Sequence, residues 1–305
     1  NRLASELRVL KGTERCFFKF IEKTVINKFK NNMELLSSNN SIAFMCKKNL
    51  EFNRDFFQFS VSEKLVPICL AVPHKKHVNH LKSKQSDSLN IAWLSRLDKD
   101  KVALLNILLG SMSELDSIKL KLYVIGEGQD EHNIEVPKNI EVIPVGRLID
   151  EALDTFIINN IDCGFAVGTA SLEFAKLAIP IFLVPGNDAI KAYQNVAAKY
   201  IPLHCIIGFD VAVESYHKDQ TLTLLQCLDL VQSDYEAISN HVYNYVTEKH
   251  GMSLTASKLL QHSNQTKSTL ELINKIYCVG AFAHLLARLK LLFKKLDAGY
   301  LKCKK

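Results

Sequence analysis

From Asn90 onward the chain alternates short apolar runs with longer amphipathic stretches. The runs are IAWLS (91–95), LKLYVIG (120–126), IEVIPVG (140–146), CGFAVG (163–168), IPIFLV (179–184) and LHCIIG (203–208). Between them lie KVALLNILLGSM (101–112), DEALDTFIINN (150–160) and DAIKAYQNVAAKY (188–200), which read as helices. Apolar strands alternating with helices predict βαβ units and a parallel sheet buried on both faces. Right-handed crossovers then make a doubly wound, Rossmann-like α/β domain. Three of the strands end in glycine, at Gly126, Gly146 and Gly168, where a backbone turns sharply or approaches something closely. Ligands of such sheets bind beyond the carboxyl ends of the strands.

The flanks differ. Residues 1–36 read as helical, with apolar and basic positions mixed (FFKFIEKTVINKFK), and FQFSVSEKLVPICLAVP (57–73) has strand character. The polar segment HKKHVNHLKSKQSDSLN (74–90) marks a boundary. Residues 220–280 read as helices, and AFAHLLARLKLLFKKL sets Phe282, Leu285, Leu286, Leu289, Leu292, Phe293 and Leu296 at helical spacing. The expected division is 1–86, 87–270 and a cationic amphipathic helix in 271–305. That helix has two readings, a buried crossing helix or one lying on an anionic membrane surface.

Composition adds limits. With 305 residues, 48% hydrophobic and 23% charged, the chain is ordinary globular material. No apolar run approaches the roughly 20 residues that a membrane span needs. The first residue is Asn1, inside an already mixed polar pattern, so we expect a piece of a longer protein. The eight cysteines form no C-x-x-C pair and several sit in apolar runs, which points to reduced thiols and a cytoplasmic compartment. Residues 281–305 hold seven Lys/Arg against Asp297, which equals the whole net charge of +6. A basic tail on a neutral body gives no nucleic-acid face.

Three stretches carry candidate chemistry. In GTASLEF (168–174), Glu173 falls in a first helical turn. With Thr169 as N-cap a capping box would need its acid at 172, which is Leu. Glu173 then either favours the helix dipole or accepts hydrogen bonds from ligand hydroxyls. SRLDKDK (95–101) puts Arg96 and Lys101 after the first regular strand, as a solvated charged turn or as cations for a diphosphate. Gly126 and Gly128 follow a strand but lack the third glycine of a dinucleotide fingerprint. His74, His77 and His80 lie in the polar linker at a spacing that suits neither a helix face nor a strand face, so no metal is expected there.

In this order, IAWLSRLDKDK, LYVIGEGQD, VIPVGRL and DCGFAVGTASLEFAKLAIPIFL resemble the donor-binding half of GT-B glycosyltransferases. The likeness is to the family-four retaining enzymes (glycosyl transferases group 1) of bacterial capsule and lipopolysaccharide biosynthesis. It spans about Asn90 to Val184. The resemblance implies a GT-B fold with residues 1–86 as the remainder of an acceptor domain and 87–270 as the nucleotide-sugar domain. It implies that Arg96 and Lys101 act on the donor diphosphate. Gly126, Gly128, Val145, Gly146 and Arg147 would line the donor, with 144–147 at the base. Gly168, Thr169, Ala170 and Ser171 would face the phosphates, and Glu173 the ribose. No cofactor or metal is implied; the nucleoside-diphosphate sugar is a co-substrate, and the acceptor is a saccharide or a lipid-linked one. The lipid-linked case suits a cytoplasmic protein that touches the inner membrane through its C-terminal helix. Phe165 stands eight residues before Glu173, where the family carries a second acid. A nucleotide-sugar epimerase and a non-catalytic nucleotide-sugar or partner-binding protein share the same donor residues.

Overall fold

The computed structural model describes residues 27, 30–57, 63–73, 88–115, 118–184, 198–206 and 220–267. The expected helix over most of residues 1–26, the linker with its three histidines, most of the helix at 188–200 and the C-terminal helix lie outside the described residues. The chain divides into two units. In the smaller one a helical segment over residues 30–38 ends at Asn40, which takes φ 56°. There Lys267 N–H donates to the Asn39 carbonyl at 2.8 Å, and the Ser41 and Thr266 hydroxyls meet at 2.6 Å.

After α1 (Lys47–Phe57), the larger unit is built on a sheet. Its elements are β1 (Ser88–Leu94), α2 (Lys99–Ser113), β2 (Lys119–Ile125), β3 (Glu141–Gly146), α3 (Asp150–Asn160) and β4 (Cys163–Ala166). Then follow α4 (Ser171–Ala175), β5 (Ile181–Leu183), β6 (Ile201–Pro202), α5 (Leu224–Ser233), α6 (Tyr235–His250) and α7 (Met252–Ser263). The sheet order is β3-β2-β1-β4-β5-β6, with β1 to β5 parallel. Alternation along each strand sends side chains to two cores. Ile91 and Trp93 of β1 pack with Leu105 and Leu109 of α2 and with Leu228 of α5. Ala92, between them, belongs with Ile157 of α3, Phe174 of α4 and Val242 of α6 on the other face. The result is a three-layer, doubly wound α/β unit.

Two local devices fix this frame. The buried Asp162 accepts from Asn90 N–H at 2.9 Å through Oδ2, and its own N–H donates to the Asn90 carbonyl at 2.8 Å. This pair sets β4 beside β1 with Ile91 opposite Cys163. At α5, Thr223 and Gln226 form a reciprocal capping box, which satisfies end groups the helix cannot satisfy internally.

The strands depart from expectation at their ends. The fourth stops at Ala166 rather than 168, because Gly168 takes φ 63° and opens a 3-10 turn. The run at 203–208 is not a strand over its described part. β6 is the pair Ile201–Pro202, antiparallel to β5, and Leu203–Cys205 is a 3-10 turn. Pro202 has no N–H to give, which confines it to an edge. Residues 63–73 make isolated bridges, Leu65 with Phe44 and Leu70 with Gly251, and join no strand. The described cysteines, Cys46, Cys69, Cys163, Cys205 and Cys227, are in no disulfide. Among the described residues no helix is long and apolar enough to cross a membrane.

Two stability predictions follow from this packing. Ala178 is buried with φ 56°, a left-handed conformation that costs an L-residue about 1–2 kcal/mol. Ala178→Gly should therefore be near neutral in thermal denaturation, while the β-branched Ala178→Val should lose about 2 kcal/mol or more. Burial, and then the His241 ring 4.9 Å away, push the His204 pKa from 6.5 down to about 4. The unfolded chain takes up that proton first, so stability is whole above pH 6.5 and falls as pH drops toward 4. His204→Gln should flatten the melting temperature across that window.

Candidate active site

The strand order reverses between β1 and β4. At such a switch point the loops leaving the two strands run to opposite sides, and the crevice between them is the usual ligand position in such a sheet. Leu94 opposite Ala166 is the last rung of this pair. Beyond it stand Ser95–Leu97 on one side and Val167–Gly168 on the other.

Three loops at this edge are joined backbone to backbone. Ser95 N–H donates to the Ile125 carbonyl at 3.2 Å, Leu97 N–H to Glu127 at 3.0 Å, and Asp130 N–H to Leu97 at 3.0 Å. Gly126 N–H reaches the Gly146 carbonyl at 2.9 Å. A Cβ at Gly126 would stand 1.9 Å from the Ser95 carbonyl oxygen, and one at Gly128 2.4 Å from the Leu97 carbonyl. The contact between loops thus accounts for both glycines without a ligand. Gly146 and Gly168 share positive φ with Gly126, at 78° and 63°, but have open space where a Cβ would be. Val145 is half-buried against the core, while Arg147 beside it is exposed.

Every candidate cation of the edge has a carboxylate partner. Arg96 Nη1 lies 3.0 Å from Asp98 Oδ2, Lys101 Nζ 3.1 Å from Asp100 Oδ2, and Arg147 Nη1 3.3 Å from Glu127 Oε1. The Arg96 side chain is 74% exposed and Lys101 24%. The Arg96 and Arg147 pairs are exposed on both sides and contribute about 0–1 kcal/mol each, so an incoming anion can exchange for their carboxylates at small cost.

The β4–α4 turn sorts its own hydroxyls. Ser171 is buried and its Oγ donates to the Gly168 carbonyl at 2.7 Å, so this group closes the turn. Thr169 is exposed and Ala170 half-buried. Thr169 caps no helix; a 3-10 turn, Gly168–Ala170, leads directly into α4. Glu173 Oε2 meets Lys176 Nζ at 2.8 Å, and the same ammonium meets Asp154 Oδ1 of α3 at 2.9 Å. Burial works against the charge on Lys176, but hydrogen bonds to Asp154 and then Glu173 outweigh it and raise its pKa above the usual lysine value. Phe165 sits in β4, fully buried between Phe182 (centroids 5.3 Å) and Tyr200 (5.1 Å). That position belongs to the core and offers the crevice nothing.

The structure therefore brings Arg96, Gly126, Gly128, Gly146 and Arg147 into one joined set of loops, with Gly168–Glu173 across the crevice and Lys101 in the first turn of α2. Lys176 and Asp154 were missed from the sequence. The i, i+3 spacing of Glu173 and Lys176 was a usable signal; Asp154, on another helix, gave none.

No family model matches the chain, and no curated protein sequence matches it. Solved structures do. A glycosyltransferase from Rickettsia africae superposes with TM-score 0.53 at 13% identity, over 80% of this chain and 68% of that one. S. aureus TarM, in a point variant crystallised with fondaparinux, alpha-GlcNAc-glycerol and UDP, gives TM-score 0.50 at 13% identity, over 74% of this chain and 44% of TarM. A second TarM structure gives 0.50 at 16%, over 81% and 46%. The chain spans less than half the length of TarM. Its α/β unit has the fold of the GT-B glycosyltransferases.

Gly128→Ala should be costly, because the added methyl meets backbone rather than a yielding side chain. We expect a loss of about 1–3 kcal/mol in denaturant unfolding. Gly168→Ala, with room for its methyl, should lose only the about 1–2 kcal/mol of a left-handed residue.

Proposed function

We propose that this chain is the donor-binding part of a glycosyltransferase that moves a sugar from a nucleoside-diphosphate sugar to a saccharide or lipid-linked acceptor. The observation that carries the proposal is that Arg96 follows β1 and Glu173 lies in the first turn of α4 after β4, the two strands at the switch point of a GT-B fold. The UDP in the TarM complex supports a nucleotide donor. Surface-polysaccharide synthesis with retention at the sugar is the finer form of the proposal, and it rests on the motifs in residues 90–184.

The chemistry follows from the side chains present. As the bond from sugar to diphosphate breaks, negative charge grows on the departing oxygen, and fixed cations aimed at it lower the barrier. Arg96 and Lys101 take this role by leaving Asp98 and Asp100 for the phosphates. Gly168 and Thr169 offer backbone N–H groups and one exposed hydroxyl from the opposite side. Glu173 accepts from ribose hydroxyls, which a carboxylate does well because it has several acceptor positions. Phe165 supplies no second carboxylate, so the transferred sugar is held by other groups.

Calorimetric titration with UDP, GDP and ADP tests this directly. Arg96→Ala and Glu173→Ala should each weaken the best-bound diphosphate by about tenfold or more, as expected for one charge-assisted hydrogen bond. Unchanged binding in both variants would refute the site. Release of free sugar or transfer to an acceptor, against inversion within the nucleotide sugar, separates a transferase from an epimerase.

A further inference from the structure

Glu173 does not stand alone at the crevice. Its carboxylate and that of Asp154 come from neighbouring helices, α4 and α3, and share the ammonium of Lys176. The Lys176 side chain is only 13% exposed, against 31% for Glu173 and 30% for Asp154. A nearly buried stem leaves the ammonium little choice of position, and it stands 2.9 Å from Asp154 Oδ1 and 2.8 Å from Glu173 Oε2. A glutamate in a first helical turn would otherwise sample several rotamers and lose that freedom on binding.

We propose that Lys176, anchored by Asp154, is a positioning residue for Glu173. It holds Oε2 and leaves Oε1 as the oxygen that meets the ligand. This inference rests on the assignment of Glu173 to the ribose. The carboxylate is then presented in one orientation, and a single hydroxyl of the ribose is selected by geometry. Lys176 itself makes no contact with the diphosphate and neutralises the otherwise repulsive pair of acids behind the site. The i, i+3 contact with Glu173 and the cross-helix contact with Asp154 are both needed: the first reaches the functional oxygen and the second fixes the reach.

The test is the preference for ribose over deoxyribose, which loss of stability alone does not change. The probe is whichever of UDP, GDP and ADP the wild-type protein binds most tightly, compared with its 2′-deoxy and 3′-deoxy forms by calorimetry. The wild type should favour the ribonucleotide over one of the two deoxy forms by about tenfold, one hydrogen bond to a charged group. Glu173→Gln and Lys176→Met should each bring that ratio to within about twofold, and the double variant should bring no further loss, because the two residues act as a unit. Lys176→Arg should keep most of the preference. If Lys176→Met does not fold, Asp154→Asn with Lys176→Met removes the stranded acid and should show the same collapse. A preference lost in Glu173→Gln but kept when Lys176 is replaced overturns the positioning role and leaves the ribose assignment standing. A preference kept in Glu173→Gln, or no diphosphate bound by the wild type, overturns both.

Discussion

The carboxyl edge of the sheet depends on one contact, the laying of residues 126–128 directly on the backbone of residues 95–97. Two glycines permit it, and it is held by the Leu97 N–H donating to Glu127 and, just beyond, the Asp130 N–H donating to Leu97. Through Gly126 the same contact extends to Gly146. Loops are ordinarily the mobile part of a fold, but these share backbone bonds as strands do. Arg96 and Arg147 therefore project from a platform continuous with the sheet.

On the other side of the crevice rigidity has a different origin. The β4–α4 turn is closed by a buried serine, and the acid that follows is held by an ion triad spanning two helices. Both solutions suit a site that must receive a charged, flexible ligand, since groups already fixed lose little freedom when it binds. They differ in what they tolerate. The glycine platform fails on adding one methyl, whereas the triad fails on losing one charge.

Much of this was legible in the order of residues. Continuous apolar runs such as IAWLS and CGFAVG are buried on both faces and could be little else than central strands, and the start and end of α3 match the span DEALDTFIINN. Glycines at strand ends marked the turns. What the pattern could not give was pairing across distance. The edge strand Ile201–Pro202 runs antiparallel, and apolar character alone carries no direction. Ser171 and Thr169 look alike in sequence, yet one is turned inward and the other outward. Phe165 fills the position of the family's second acid, and its place within CGFAVG already makes it core. Asp154 became part of the site only when α3 and α4 came side by side.

The pairing of Arg96, Lys101 and Arg147 with neighbouring carboxylates bears on the speed of encounter. An edge whose cations are cancelled locally projects little field into solvent. These three paired cations would draw a dianion in from a distance only weakly, unlike an uncompensated basic cleft. Capture should begin only at short range, once phosphate oxygens displace the aspartates. The on-rate for a diphosphate should then stay nearly flat as salt is raised through the range where the Debye length falls below about 10 Å.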